Sequence, residues 1–150
     1  MKKILLLMMS VLLVSACGNK QIAKSSSTCN LVDDTLSSSI ELQAENNVVV
    51  RAITSSTLKA EALGDIDLAS ITDTEKEQIK QIVADSIAAS DETKGIVTEV
   101  IFKDDSIVVN STISIEDADE TFLSDLGLSS KEMTLSEAVE AIEARGATCR

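Results

Sequence analysis

Between residues 106 and 115 the side chains alternate without a break. Ile107, Val109, Ser111, Ile113 and Ile115 fall on one side of an extended chain; Ser106, Val108, Asn110, Thr112 and Ser114 fall on the other. Successive side chains of a strand point to opposite faces, so this run describes a strand with one buried and one mostly wet face. Such a strand needs neighbours of the same design. Residues 96–103 supply one, joined to it by Asp104-Asp105 as a two-residue hairpin turn. Residues 36–44 supply another, with Leu36, Ser38, Ile40, Leu42 and Ala44 on one face, and residues 48–58 are rich in β-branched side chains. Turn signals at Asp33-Asp34-Thr35 and Glu45-Asn46-Asn47, with a short first strand over 28–31, complete an antiparallel meander.

Helical spacing takes over elsewhere. Thr72-Asp73-Thr74-Glu75 matches a capping box, in which Thr72 and Glu75 satisfy backbone donors left over at a helix start. Ile79, Ile82, Val83 and Ile87 follow on one helical face, which predicts a helix over 73–90. Residues 59–71 suit neither period and read as an irregular crossover with partly buried side chains. Residues 117–126 predict a short helix with Phe122, Leu123 and Leu126 inward, ended by Gly127. Thr134 to Glu137 is a second capping box, followed by an apolar stripe of Leu135, Ala138, Val139 and Ile142 and a stop at Gly146. Residues 147–149 can then return to the sheet. The expected fold class is α+β in two layers: an antiparallel β-sheet of about four to five strands, packed by one long helix and one or two shorter ones.

The N-terminus is built differently. Met1-Lys2-Lys3 is basic, residues 4–14 are apolar apart from Ser10, and Ser15, Ala16 and Cys17 follow. A basic start, an apolar run of roughly 7–15 residues and a small-residue exit describe a secretory signal peptide. A membrane-spanning helix needs about 20 apolar residues, and here polar Gly18, Asn19 and Lys20 interrupt first. Val14-Ser15-Ala16-Cys17 resembles the bacterial lipobox. That resemblance implies transfer of a diacylglyceryl group to the Cys17 sulfur and cleavage before Cys17. Two acyl chains anchor a protein stably where one does so only marginally. The expected organisation is a signal peptide over 1–16, a lipidated cysteine and flexible tether over 17–27, and a single domain over 28–150. The expected location is extracytoplasmic, lipid-anchored to the cell membrane, and Gly18 is equally compatible with an outer membrane.

Assigning Cys17 to lipid leaves Cys29 and Cys149, an even pair at the two ends of the folded segment in an oxidising compartment. A structural disulfide between them is the expectation; two free thiols or a redox pair are the alternatives, although redox pairs usually stand close together, as in C-x-x-C. Closing a loop of about 120 residues contributes on the order of 4–5 kcal/mol in the chain-entropy model.

Composition removes several functions. Loss of Lys2 and Lys3 with the leader takes the net charge from -12 to -14, with 11 basic against 25 acidic residues. Such a surface repels nucleic acid and anionic headgroups, so the lipid rather than surface charge must hold the protein at a membrane. There is no His, Trp, Tyr or Pro, and only two Phe. The commonest general base and metal ligand is missing, and so are the usual stacking surfaces for sugars. Without His no Ser-His-Asp set can form, and the five scattered glycines make no phosphate loop. Asp117-Ala118-Asp119-Glu120-Thr121 has a faint likeness to a calcium loop, but Phe122 stands where the sixth-position glycine belongs and Leu128 where the bidentate glutamate belongs. A helix-capping cluster is the better reading. Asp65-Ile66-Asp67 reads as a solvated loop.

One resemblance covers nearly the whole chain. The order is lipobox, polar tether, Thr28-Cys29-Asn30-Leu31, two strands, helix, the hairpin around Lys103-Asp104-Asp105-Ser106, Asp125-Leu126-Gly127-Leu128, then Thr134 to Glu137 and Gly146-Ala147-Thr148-Cys149. This set resembles the YehR-like family of small bacterial lipoproteins, some of which also carry one cysteine early in the domain and another at the C-terminus. The chain departs from many members in lacking tyrosines along its strands. The resemblance implies a compact α+β fold and no established activity, so it carries over no catalytic or ligand residues. The functional expectation is therefore a lipid-anchored envelope or cell-surface protein acting as a non-catalytic interaction module for another envelope protein or a wall component. The alternative is a small-ligand or cation-binding lipoprotein. No cofactor, metal site, catalytic residue or nucleic-acid partner is expected.

Overall fold

A computed structural model describes residues 22–32, 36–63, 67–88 and 94–150. The expected signal peptide over 1–16, the expected lipobox with Cys17 and the expected turn at Asp33-Asp34-Thr35 lie outside the described residues. Six strands, β1 (Lys24–Val32), β2 (Leu36–Glu45), β3 (Val48–Lys59), β4 (Ile96–Phe102), β5 (Ser106–Ser114) and β6 (Thr148–Cys149), form one sheet in the order β4-β5-β3-β2-β1-β6. All five pairings are antiparallel. The described residues also form three α-helices, α1 (Asp73–Ala88), α2 (Glu120–Asp125) and α3 (Leu135–Glu143), and a 3-10 turn at Ala60–Leu63. This is the expected two-layer α+β architecture, with one strand more than the upper estimate.

Local chemistry explains the turns. Asn46 and Asn47 join β2 to β3 with φ of 50° and 70°, the doubly left-handed geometry of a two-residue hairpin loop, which asparagine tolerates well. One extra residue, Val50, is inserted into β3 opposite the Gln43/Ala44 step, and this bulge leaves it exposed. Lys103 N–H donates to the Ser106 carbonyl across Asp104-Asp105, the expected second hairpin. Gly95, at φ 76°, packs so closely that a Cβ there would stand 2.6 Å from Asp117 Cβ.

The capping boxes start α1 and α3 where the sequence places them, whereas α2, expected over 117–126, begins only at Glu120, because the Asp119 carboxylate caps it there. Glu75 N–H donates to Thr72 Oγ1 (3.3 Å) while the Glu75 carboxylate accepts from Thr72 N–H (2.7 Å). Thr134 and Glu137 repeat the arrangement at α3. In each box the threonine's backbone N–H, and after it the hydroxyl, holds the glutamate below its ordinary value of 4.5. Asp119 caps α2, its carboxylate accepting from the N–H groups of Thr121 (2.6 Å) and Phe122 (3.3 Å). At the other end Leu128 N–H reaches the Leu123 carbonyl and Gly127 N–H the Ser124 carbonyl, the paired bonds of a glycine-terminated helix, with Gly127 at φ 92°.

The register sorts side chains into two faces. Ile96, Ile113, Ala52 and Leu42 form one row across the inner face; Thr98, Ser111, Thr54, Ile40, Cys29 and Cys149 form the next. Leu42, Ala52, Ile113 and Cys29 from the sheet, with Ile115 just past the end of β5, meet Leu123, Leu128, Ala138 and Ile142 from the α2–α3 layer in one buried cluster. The α3 stripe thus packs as expected.

Two expectations need correction. Lys24 to Ser27, read as tether, belong to β1, where they pair with Leu42 to Glu45 of β2. Four polar residues without alternation are held there by their neighbour's backbone rather than by their own burial. On α1, Ile79 and Val83 are half-buried but Ile82 is 64% exposed. Among the described residues α1 packs mainly on β4, a single edge strand, and one strand covers only a narrow stripe of a helix.

Candidate functional site

The inner face should be apolar throughout if the helices cover all of it. It is not. Ser38, Thr54, Ser56, Thr98 and Ser111 place a diagonal band of hydroxyls across it, between the α2–α3 layer at one side and α1 at the other. The band is paired internally: Ser38 Oγ lies 3.1 Å from Ser56 Oγ, and Thr98 Oγ1 lies 2.9 Å from Ser111 Oγ. Each hydroxyl can donate once and accept twice, so each pair keeps donor and acceptor capacity for a further group.

Where the helices leave the band open over β1–β3 there is a groove of about 390 Å³. Its floor is Leu31, Ser38, Ile40, Thr54 and Ser56; its wall is Leu126, Ile142 and Ala147, with Cys29, Asp125 and Arg145 at the margin. This is the size range of a small-molecule site. Arg145 builds the wall. Its guanidinium donates to the Asp125 carbonyl (2.6 Å) and the Ser124 carbonyl (2.8 Å), the last carbonyls of α2. A cation is favoured at a helix C-terminus, so Arg145 ties α2 to the end of α3. The side chain passes over Gly127, where a Cβ would come within 3.2 Å of Nε.

The cysteine pair stands beside this groove. Cys29 and Cys149 face each other in the sheet and are joined by a disulfide, with a Cα–Cα distance of 3.9 Å. The reciprocal bonds between Thr28 and Arg150 make the next pair the hydrogen-bonded one, so the cysteines occupy the narrow pair, where side chains come closest. Closure of the two ends of the domain was the expectation once Cys17 was assigned to lipid and Cys29 and Cys149 were left as an even pair.

The acidic candidates separate. Asp119 is the α2 cap, and the Asp117 carboxylate accepts from the Ser114 hydroxyl at 2.7 Å. Asp67 accepts from Ala69 N–H, and Asp65 lies outside the described residues. Among the described residues no three His, Cys, Asp or Glu side chains gather as a metal site would require. The sequence reading missed the groove. Its signal was Ser38 at an inward position of an apolar stretch; Thr54 and Ser56 gain meaning only once the β2–β3 register sets them beside it.

An open antiparallel sheet with helices on one face, and a hydroxyl-floored groove between them, makes this a small two-layer α+β fold. No family model matches this sequence, and no curated protein matches it. Solved structures do. The NMR structure of the YehR protein of Escherichia coli superposes with a TM-score of 0.62 at 15% identity, over 86% of this chain and 92% of that one. The NMR structure of a protein from Streptococcus pneumoniae TIGR4 gives a TM-score of 0.51 at 14% identity, over 89% and 88%. Likeness at this identity is a likeness of fold, and the fold is YehR-like.

Proposed function

We propose that this chain is a lipid-anchored, extracytoplasmic member of the YehR-like family, held to the cell membrane through Cys17, whose domain binds an envelope protein or wall component without catalysing a reaction. The observation that carries the non-catalytic part is the lining of the groove. Ser38 and Ser56 pair with each other on its floor among aliphatic side chains, the lining's one carboxylate, Asp125, stands at the margin, and the chain has no histidine to activate a hydroxyl as a nucleophile. Arg145 is already engaged by two carbonyls. The anchor rests on the basic start, apolar run and Val14-Ser15-Ala16-Cys17 exit. Replacing Cys17→Ser should release the protein from the membrane fraction; a variant as membrane-bound as wild type refutes the anchor. Cross-linking in intact envelopes should return one stoichiometric partner, and repeated return of none refutes the interaction role.

The groove favours a second reading, a small uncharged ligand that sets apolar surface against Ile40, Leu126 and Ile142 and one or two polar groups against the hydroxyl band. A thermal-shift screen over metabolites and metals separates the two. A shift of several degrees that Ser56→Leu abolishes supports the ligand; a flat screen leaves the partner protein or wall component.

A further inference from the structure

The two edges of the sheet are unlike. β1 is covered by β6 and cross-linked to it, whereas among the described residues nothing pairs with the outer edge of β4. Two hydrogen bonds set the phase of that edge. Lys103 N–H donates to the Ser106 carbonyl, and Ser114 N–H donates to the Gly95 carbonyl. Residues 95 and 103 are thus hydrogen-bonded positions of the β4–β5 ladder. In an antiparallel ladder these alternate with positions whose N–H and C=O point away from the partner. The outward groups therefore belong to Ile96, Thr98, Val100 and Phe102.

Natural sheets protect such an edge with charge, proline or a bulge. The seven residues of β4 hold no proline and pair with β5 in unbroken register, and their solvent face is Val97, Glu99 and Ile101, with Val97 73% exposed. On the other face α1 stands beside the strand. Glu77, Lys80, Gln81, Ala84, Thr98 and Val100 enclose a crevice of about 230 Å³ there. An edge strand with a helix alongside has the form used to receive an extended peptide.

We infer that the β4 edge and the α1 crevice accept an extended segment of a partner protein as an added strand, apolar at alternate positions and carrying a Lys or Arg opposite Glu99. This rests on the interaction role proposed above and gives it a surface. Charge selects the occupant. A second copy of this chain, paired along β4 over its full length, would set Glu99 against Glu99, and like charges directly opposite are destabilising. The chain's net charge of -12 adds to that repulsion. A basic segment gains where a copy loses.

The test uses the full-length protein and a capped heptapeptide, Val-Thr-Val-Lys-Val-Thr-Val, with a matched peptide carrying Glu at the centre. Bound as a strand, the lysine peptide should slow amide exchange at Thr98 and Val100 roughly tenfold or more at saturation. The amides of Val97, Glu99 and Ile101, already bonded to β5, should change little. The lysine peptide should bind about 2- to 5-fold tighter than the glutamate peptide, and Glu99→Lys should reverse the order. Unchanged exchange at Thr98 and Val100, or equal binding of both peptides to both proteins, overturns the inference. An envelope partner captured equally by wild type and Glu99→Lys would leave the interaction role standing and remove β4 as its surface.

Discussion

At one end of the sheet β1 is closed by β6, by the Cys29–Cys149 bond and by α3, whose Ala138 and Ile142 sit in the main buried cluster. At the other end β4 carries one helix and an open edge. Both helices start with the same capping box, yet α3 turns an unbroken apolar stripe to the core while α1 leaves Ile82 in solvent. The same local signal therefore nucleates a helix in both places, and only the surface waiting for it decides how firmly the helix is held. The pinned end should unfold with the whole domain. The open end should loosen first, as low-burial elements do.

Four changes would break or sharpen that contrast. The largest effect should come from Cys29→Ala with Cys149→Ala, which frees a 120-residue loop. A loss of about 4–5 kcal/mol is expected in urea unfolding, and a loss below about 1 kcal/mol would mean that the pinned end does not depend on its cross-link. Next, Leu42→Ala, at a fully buried position, should lose about 2–5 kcal/mol, whereas Ile82→Ala should stay within about 0.5 kcal/mol; comparable losses would place α1 in the core after all. Gly127→Ala forces a Cβ into left-handed backbone and against Arg145. It should lose about 1–2 kcal/mol and widen the groove, read as a change in any ligand-induced thermal shift.

The smallest effect is a pH dependence of the two caps. Glu75 and Glu137 titrate lower in the folded protein than the usual 4.5. Their contribution is complete above that value and is lost as pH falls through the lowered folded values. Amide exchange in α1, corrected for its intrinsic pH dependence, should rise below pH 4.5 and stay flat from neutral pH upward. In α3 packing should mask most of the same loss. Equal responses in the two helices would erase the distinction between them.

What was readable in the sequence follows from the range of each signal. Caps, hairpin loops and strand alternation depend on residues a few positions apart, so Thr72 with Glu75, Asn46-Asn47 and the 107–115 pattern could be read directly. The disulfide was readable despite its span because assigning Cys17 to lipid left one pair, Cys29 and Cys149. Lys24 to Ser27 could not be read as strand, since their order comes from β2. Ile82 could not be read as exposed, since periodicity reports a stripe and not the width of the surface opposite. The groove was hidden for the same reason: Ser38, Thr54 and Ser56 lie on two strands, and only the register makes them one floor.

The bond between Cys29 and Cys149 turns the residues between them into a covalent ring, with the N-terminal segment as a tail on it. A protease that cuts any single peptide bond inside the ring opens it but separates nothing, because both halves stay joined through sulfur. A molecule nicked once would therefore remain a single covalent molecule. Two cuts inside the ring, or one cut followed by reduction, are needed before a fragment can diffuse away.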